Sequence, residues 1–566
     1  MHPCRKGDAM AGRTPRGFRD ILPAEALVRE GIRARVAELF GSHGYLPVET
    51  PLLEERPELE RGGRIRNSPF QLIDADGSLM VLRPDLTLPI ARLVSARVPD
   101  GELPLRLRYA APLVREESEL GGRPRQLTQL GVELFDLEGA RPELELVLLL
   151  AETLDTLGIP AWHVACGSVR PLQALLARRS PSGEVTERVL ELVHASDLVG
   201  LDEYLDGLAL EPSLDQALRE LPRLTGDGSV VARVDELLVA AGIPEGERGT
   251  GELAVMAEGL GGLLDSGQVA FDFSIPNSFD YYTGIVFRCY SELGSDALAS
   301  GGRYDAVLRN LGRPNVLACG FALSLEALQE VLGQRGGSGG VTGSGSSAER
   351  PLRVAVPKGS LFAPTVKLLE AAGLPVEELR EPGRRLVVPA GEVEYVIVRA
   401  QDAPTFVGNG GADCGICGND SIIEADEELV QLVDLGFGAC RFVVAESAER
   451  RGAAEEAYGW RGSVRVATKY PRITRRYYES LGQQVDIVRL HGNIELGPIV
   501  GMSDRIVDIT ATGETLAQND LVVVDEVMEC AARFFAGPAA YRSDSRVRAL
   551  ARRLLEVAAA RKGSKR

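Results

Sequence analysis

Asp508-Ile509-Thr510-Ala511-Thr512-Gly513-Glu514-Thr515 places three threonine hydroxyls, a glycine and an acid directly after a run that reads as a strand. Gly513 permits a tight turn that aims several N–H groups at one anion. Thr510, Thr512 and Thr515 add hydroxyl donors, with Ala511 between them. Asp508, at the strand end, can accept from the two hydroxyls of a sugar ring. The chemistry on offer is the grip of a phosphorylated sugar. A polar turn between strands has a similar composition, so the neighbours decide the reading. Pro357-Lys358-Gly359-Ser360 joins a second strand to a helix start, a place suited to another anion.

The spacing D-x-x-x-T-G-x-T is that of loops that bind phosphoribosyl pyrophosphate. Upstream stand Arg399-Ala400-Gln401-Asp402-Ala403-Pro404-Thr405-Phe406 and Gly411-Ala412-Asp413-Cys414-Gly415-Ile416-Cys417-Gly418-Asn419-Asp420. Asp434-Leu435-Gly436-Phe437-Gly438, Val466-Ala467-Thr468-Lys469-Tyr470-Pro471 and Gly492-Asn493-Ile494-Glu495-Leu496 follow. In this order and with these gaps, nearly all of 351–560 closely resembles the catalytic subunit of short-form ATP phosphoribosyltransferase.

That resemblance implies a reaction. N1 of the ATP adenine attacks C1 of the ribose of phosphoribosyl pyrophosphate, and pyrophosphate leaves with Mg²⁺. The product is phosphoribosyl-ATP, and the step is the first of histidine biosynthesis. Catalysis of this kind is positioning and electrostatic stabilisation. By the family pattern the 508–515 loop holds the 5′-phosphate and ribose. Lys358 with Gly359, Arg399 and Lys469 address the pyrophosphate or the ATP phosphates, and Glu495 and Asp413 are further polar contacts. Mg²⁺ comes with the substrate phosphates, and no protein ligand is assigned to it. Two positions depart from the pattern, and a third residue carries a charge that a phosphate loop does not favour. Ser360 stands where many relatives carry Arg, Asn419 stands where many carry Lys, and Glu514 puts a negative charge in a phosphate loop. The short form carries no regulatory domain of its own, and none follows residue 566, which leaves regulation to the rest of the chain.

The earlier part carries three further runs: Leu82-Arg83-Pro84-Asp85-Leu86-Thr87; Pro112-Leu113-Val114-Arg115-Glu116-Glu117 with Gln129-Leu130-Gly131-Val132-Glu133; and Phe279-Asp280-Tyr281-Tyr282-Thr283-Gly284 with Gly301-Gly302-Arg303-Tyr304-Asp305. Residues 15–330 thereby resemble histidyl-tRNA synthetase and the related regulatory subunit of ATP phosphoribosyltransferase. In the synthetase an arginine precedes the Leu-Asp-Tyr-Tyr run, and another closes the last class II motif after Leu-Glu. Here those places hold Asn277 and Ala327, neither of which supplies a cation. No anticodon-binding domain follows the run. The resemblance therefore implies a regulator and not a working synthetase. It implies a histidine pocket lined by Asp85, Thr87, Arg115, Gln129, Glu133 and Tyr282. Carboxylates there take the amino group and imidazole N–H, and Arg115 takes the carboxylate. A polar core kept after loss of function is the plainer reading of the same residues. Two alternatives for the whole chain remain: a histidyl-tRNA synthetase-like protein, and a non-enzymatic histidine sensor.

The elements that must position these residues follow from periodicity. A helix is predicted over 24–40, and strands over 105–110, 129–135, 270–274 and 285–290, with a helix-rich middle at 187–264. This is an α+β pattern with a mainly antiparallel sheet, class II synthetase-like by resemblance. Beyond residue 350 strand and helix alternate. Strands are predicted at 352–356, 395–399, 414–417, 441–445, 463–468, 485–490 and 506–509, and Ser360 is a candidate helix cap. The expected domain is α/β and two-lobed, like periplasmic binding proteins, with a cleft between the lobes. Between the halves, GQRGGSGGVTGSGSSAER reads as a flexible tether. The expected boundaries are 1–332, 333–350 and 351–566.

The bulk numbers agree with that division. The chain has 566 residues, 45% hydrophobic and 25% charged, with a formal net charge of −18. It is too long for one core. The acidic balance argues against nucleic acid as a partner. Residues 1–19 lack the apolar centre of a secretory signal, and no apolar run reaches spanning length, so a cytoplasmic protein away from membranes is expected. Eight scattered cysteines do not form a secreted disulfide framework, and Cys414 and Cys417 read as buried small hydrophobes. The related complexes hold regulatory and catalytic subunits in equal number. The fused chain is therefore expected to form a homo-oligomer, a tetramer, with histidine as inhibitor.

Overall fold

The computed structural model describes residues 14–63, 70–115, 124–178, 183–274, 282–337, 350–510 and 513–563. The chain divides into two compact units, Met1–Ser346 and Ser347–Arg566.

The first unit is built on a nine-stranded sheet. Its order is Leu46–Pro47, Leu105–Val114, Gln126–Phe135, Ala318–Ser324, Ala299–Arg303, Ile285–Ser291, Trp162–Ser168, Val269–Asp272 and Thr225–Gly226. Most neighbours run antiparallel. Strand period sorts the side chains onto two faces. Leu130, Val132 and Leu134 point to the core, where the helices Pro23–Ser42 and Arg141–Leu157 cover the sheet with Ile32, Val36, Phe40, Leu146, Leu150 and Leu154. Gln129, Gly131 and Glu133 necessarily occupy the other face.

The helical middle begins earlier than its periodicity suggested, at Arg170–Arg178, and continues to Asp265. Several strands escaped the sequence reading, and three of them build the middle of this sheet. Trp162–Ser168 is buried along nearly its whole length and shows no alternation. Ala299–Arg303 looks like a turn because of Gly301 and Gly302. A Cβ on Gly301 would meet the Gly320 carbonyl at 2.4 Å and the Phe287 ring at 2.7 Å, so close packing and not turning requires glycine there. Ala318–Ser324, rich in small residues, was likewise missed.

The helix Leu325–Gly337 continues into the stretch assigned to the tether from 333. Buried Leu328 and Val331 anchor it, and Gln334 and Arg335 are good helix formers. The remaining tether positions 338–349 lie outside the described residues.

The second unit has two sheets. The first lobe holds six strands in the order Val387–Ala390, Val393–Val398, Leu352–Pro357, Cys414–Gly418, Ala532–Ala536 and Val430–Asp434. The second lobe holds five: Val485–Arg489, Val464–Thr468, Arg505–Thr510, Cys440–Ser447 and Leu521–Cys530. Three strands run parallel in each sheet, inside the first and from one edge of the second. The last two strands of each order were not all anticipated, because Val430–Asp434, Leu521–Cys530 and Ala532–Ala536 pair antiparallel over long sequence distances. Cys414 and Cys417 are fully buried, and burial pushes both thiols well up. Ser360 does not cap the next helix. It sits inside a 3-10 turn, Gly359–Leu361, and Phe362–Ala371 starts after it without a side-chain cap.

Candidate functional site

Parallel strands in an α/β sheet present their carboxyl ends to ligands. In the second unit those ends carry Lys358 and Gly359, Arg399, Asn419 and Asp420, Lys469, and the 508–510 segment. The Lys358 N–H donates to the Val398 carbonyl at 2.7 Å, which draws two strand ends together beside Arg399. Lys358 and Arg399 are both exposed. Gly359 has φ +84°, a backbone that favours glycine.

Lys469 and Asp508 leave adjacent parallel strands, and Lys469 Nζ lies 3.3 Å from Asp508 Oδ1. The ammonium also sits 5.2 Å from the centre of the Tyr470 ring. Burial raises the Asp508 carboxyl above the usual range. Lys469 opposes that shift, and the negative charge of Glu495 adds to it. Asp420 faces the same ammonium from the first lobe. Burial raises its carboxyl too, again with Lys469 opposing. The cation is thus paired with Asp508, and its charge is felt more weakly at Asp420 on the other lobe. Gln401 Nε2 donates to the Tyr470 hydroxyl at 3.4 Å, and the Arg472 and Ile473 N–H groups donate to Glu424 at 3.1 and 3.2 Å, closing the lobes around that point.

The loop after Asp508 is held by its own hydroxyl. The Gly513 N–H donates to Thr510 Oγ1 at 2.8 Å, and Gly513 sits at φ +79°. Thr515 lies exposed in the short helix Glu514–Gln518. Glu514 is exposed as well, so solvent screens its charge. Ala511 and Thr512 fall outside the described residues.

Asp413 is not brought to this place. It precedes Cys414–Gly418, at the amino end of the strand whose carboxyl end carries Asn419 and Asp420. Its carboxylate accepts from Arg350 at 2.7 Å and from the Arg353 N–H at 2.8 Å, so it anchors the start of Leu352–Pro357. Asn419 also works structurally. Its N–H donates to the Ala531 carbonyl, and its Oδ1 accepts from the Ala531 N–H, both at 3.1 Å. Asp420, Gln401, Tyr470 and Glu424 were not chosen as site residues from sequence. An acid, an amide and a tyrosine each next to a matched motif were the available signal.

In the first unit, Asp85, Thr87, Gln129 and Tyr282 line one small cleft with Ser300, Tyr304 and Gly320. Glu133 and Arg115 do not line it; Glu133 is buried behind Thr87 and Tyr304. Thr87 Oγ1 donates to it at 2.9 Å, Tyr109 OH at 3.3 Å, and Tyr304 OH also donates. Burial pushes the Glu133 carboxyl up to about 8, against those three donors. Asp85 accepts from the Leu88 N–H at 3.0 Å, and burial raises its carboxyl. Arg115 donates Nε to the Pro84 carbonyl at 2.8 Å, and its charge is felt at both Asp85 and Tyr282.

Arg288 was missed. It stands opposite Ser300 in the sheet, is buried, and its charge reaches Tyr282. A lone cation within the buried run Ile285–Ser291 was a readable signal, since buried charge demands a partner. Asn277 lies outside the described residues. Ala327 is packed into the core, and Glu326 is occupied by Arg29 at 2.8 Å and the Thr128 N–H at 2.9 Å.

A model of the histidyl-tRNA synthetase family matches residues 17–328, and one of the ATP phosphoribosyltransferase family matches 399–556. An ATP phosphoribosyltransferase of Rubrobacter xylanophilus is 50% identical over 193 residues, covering 34% of this chain and 89% of that protein. An ATP phosphoribosyltransferase regulatory subunit of Shouchella clausii is 35% identical over 323 residues, 56% of this chain and 81% of that one. Among solved structures, an ATP phosphoribosyltransferase regulatory subunit/histidyl-tRNA synthetase from Bacillus halodurans matches with a TM-score of 0.53 at 27% identity, covering 69% of this chain and 94% of that chain.

Proposed function

The chain belongs to the ATP phosphoribosyltransferase family, with a first unit of the histidyl-tRNA synthetase type, and from that premise we propose that its two-lobed unit holds the reaction while its synthetase-like unit senses histidine. The chain is an enzyme. It condenses ATP with phosphoribosyl pyrophosphate to give phosphoribosyl-ATP and pyrophosphate, the first step of histidine biosynthesis.

The Lys469–Asp508 pair, facing Asp420 across the cleft, carries the assignment of the site. Asp508 accepts from the ribose hydroxyls beside the Lys469 ammonium. The turn closed by Thr510 and Gly513, with Thr515 beside it, receives the 5′-phosphate. Lys358 and Arg399 supply positive charge from the other lobe to the leaving pyrophosphate or the ATP phosphates. The carboxylates of Asp508 and Glu495 stabilise the positive charge that grows on the ribose as the bond to pyrophosphate lengthens. Bringing the two substrates to one place from two lobes supplies much of the rate. Mg²⁺ belongs to the substrate, as the counter-ion of its phosphates.

In the first unit, Glu133 and Asp85 are the acceptors for the cationic groups of histidine, with Arg115 for its carboxylate. Histidine bound there lowers turnover in the second unit. A Gly/Ser tether is slack, so the coupling runs through packed surfaces in a homo-oligomer, a tetramer in this reading, in the cytoplasm. Among the described residues no helix is long and apolar enough to cross a membrane.

The test is direct. Purified chain with ATP, phosphoribosyl pyrophosphate and Mg²⁺ should raise the ultraviolet absorbance of phosphoribosyl-ATP, and added histidine should slow that rise. No absorbance change sinks the assignment of the second unit. A rate indifferent to histidine sinks that of the first.

A further inference from the structure

The second lobe is reached by two crossings. The chain leaves the first-lobe strand Val430–Asp434 for the second-lobe strand Cys440–Ser447, and it returns from Leu521–Cys530 to Ala532–Ala536. Cys440 is the first residue past the outward crossing, and Cys530 is the last before the return. Although far apart in sequence, the two stand directly opposite each other in the antiparallel register.

Direct opposition in an antiparallel pair sets Cα atoms about 4.5–5.5 Å apart. A disulfide spans about 4.4–6.8 Å. Both residues are free thiols, Cys440 half-buried and Cys530 buried. The register sets the two thiols side by side, where each acts on the other. Their interaction holds the Cys440 thiol below its usual range and raises Cys530, so the more accessible sulfur is also the readier nucleophile. The residue after Cys530, Ala531, holds Asn419 at the start of the Asp420 helix by two hydrogen bonds. The thiol pair is therefore one residue removed from the helix that presents Asp420 to the cleft.

We propose that Cys440 and Cys530 are a redox pair whose disulfide staples the two inter-lobe crossings and slows turnover. The oxidant is a peroxide. The Cys440 thiolate attacks one peroxide oxygen, the O–O bond breaks, and with one proton taken up a sulfenic acid and a water result. The Cys530 thiol then displaces the hydroxyl, forming the S–S bond and a second water. Two thiols lose two electrons and two protons, and the peroxide becomes two waters. A dithiol reverses the step by exchange and becomes a cyclic disulfide itself. The effect on rate rests on the function proposed above: Lys358, Arg399 and Asp420 come from one lobe, and Lys469, Asp508 and the 508–515 loop from the other. Fixing the strands between them restricts the closure that assembles the site.

The full-length chain is treated with hydrogen peroxide, then alkylated, digested and mapped by mass spectrometry. A peptide pair joined through Cys440 and Cys530, lighter by two hydrogens than the reduced pair, is expected. With it should come a several-fold fall in kcat that dithiothreitol restores. Cys440→Ser should keep its rate through the same treatment, and Cys530→Ser provides a second variant should the first fold poorly. The proposal is overturned if the linked peptides do not form, if the linked chain turns over at the reduced rate, or if Cys440→Ser loses as much activity as the parent. A reduced chain inactive on ATP and phosphoribosyl pyrophosphate sinks the functional reading alone, and the mapping then decides the disulfide.

Discussion

Glu133 lies so close over Gly320, its partner in the sheet, that a Cβ on Gly320 would come within 1.8 Å of the Glu133 carboxylate oxygen. The glycine makes room for the acid buried behind the cleft. Gly320→Ala should therefore push Glu133 out of the reach of Thr87, Tyr109 and Tyr304. Overpacking of this kind costs about 1–3 kcal/mol. We expect a lower Tm and a loss of the histidine response, read as the ratio of rates with and without histidine. A variant that keeps both the Tm and the ratio would show that Glu133 has no part in sensing.

The same carboxylate sets a pH dependence. Its pKa rises from 4.5 to about 8 on folding, with burial as the cause. The folded chain then holds a proton that the unfolded chain releases, so this group's contribution is present at low pH and lost as pH rises. The window runs from about 4.5 to about 8. Glu133→Gln should gain Tm relative to the parent as pH increases across it. Parallel curves for the two proteins would contradict the shift.

Asp508→Asn and Gly513→Val test the catalytic loop. The first removes a charged acceptor from the ribose side, and the second forces a β-branched residue to φ +79°. Loss of one preorganised electrostatic contact is worth about 10²–10³ in kcat. Steady-state rates of phosphoribosyl-ATP formation, with circular dichroism to check the fold, should show falls of that order. Near-parental rates in both variants would move the site elsewhere.

The first unit should not act as a synthetase. Ala327 is packed into the core, and Glu326 is held by Arg29 and Thr128, so the end of the last class II motif offers no cation to ATP. Pyrophosphate exchange into ATP should show no dependence on histidine. Clear histidine-dependent exchange would reverse the regulatory reading.

Sequence patterns exposed the parallel strands and their carboxyl ends, because strand, glycine turn and helix follow one another locally. Lys469 and Asp508 were therefore chosen as candidates, and they stand together in the fold. Asp413 misled because its motif neighbours lie at the carboxyl end of the strand and it lies at the other. Spacing along a chain does not tell which end of a strand faces a ligand. Ala299–Arg303 and Leu521–Cys530 stayed hidden for a related reason. Their pairing partners are distant in sequence, and the glycines of the first serve packing across the sheet. Arg288 needed only the observation that a charge inside a buried strand must answer to something nearby.

Val430–Asp434 and Ala532–Ala536 pair with each other on either side of the second lobe, with Asp434 directly opposite Arg533 and 3.3 Å from it. The first lobe is thus already closed where the second departs. Residues 440–530 form an insertion in a host domain, and the junction is a hairpin without its loop. Replacing the insertion by a short turn leaves every strand of the host sheet with its neighbours. The host could then fold without its guest, and the guest could be exchanged or lengthened without unpicking the sheet that carries it.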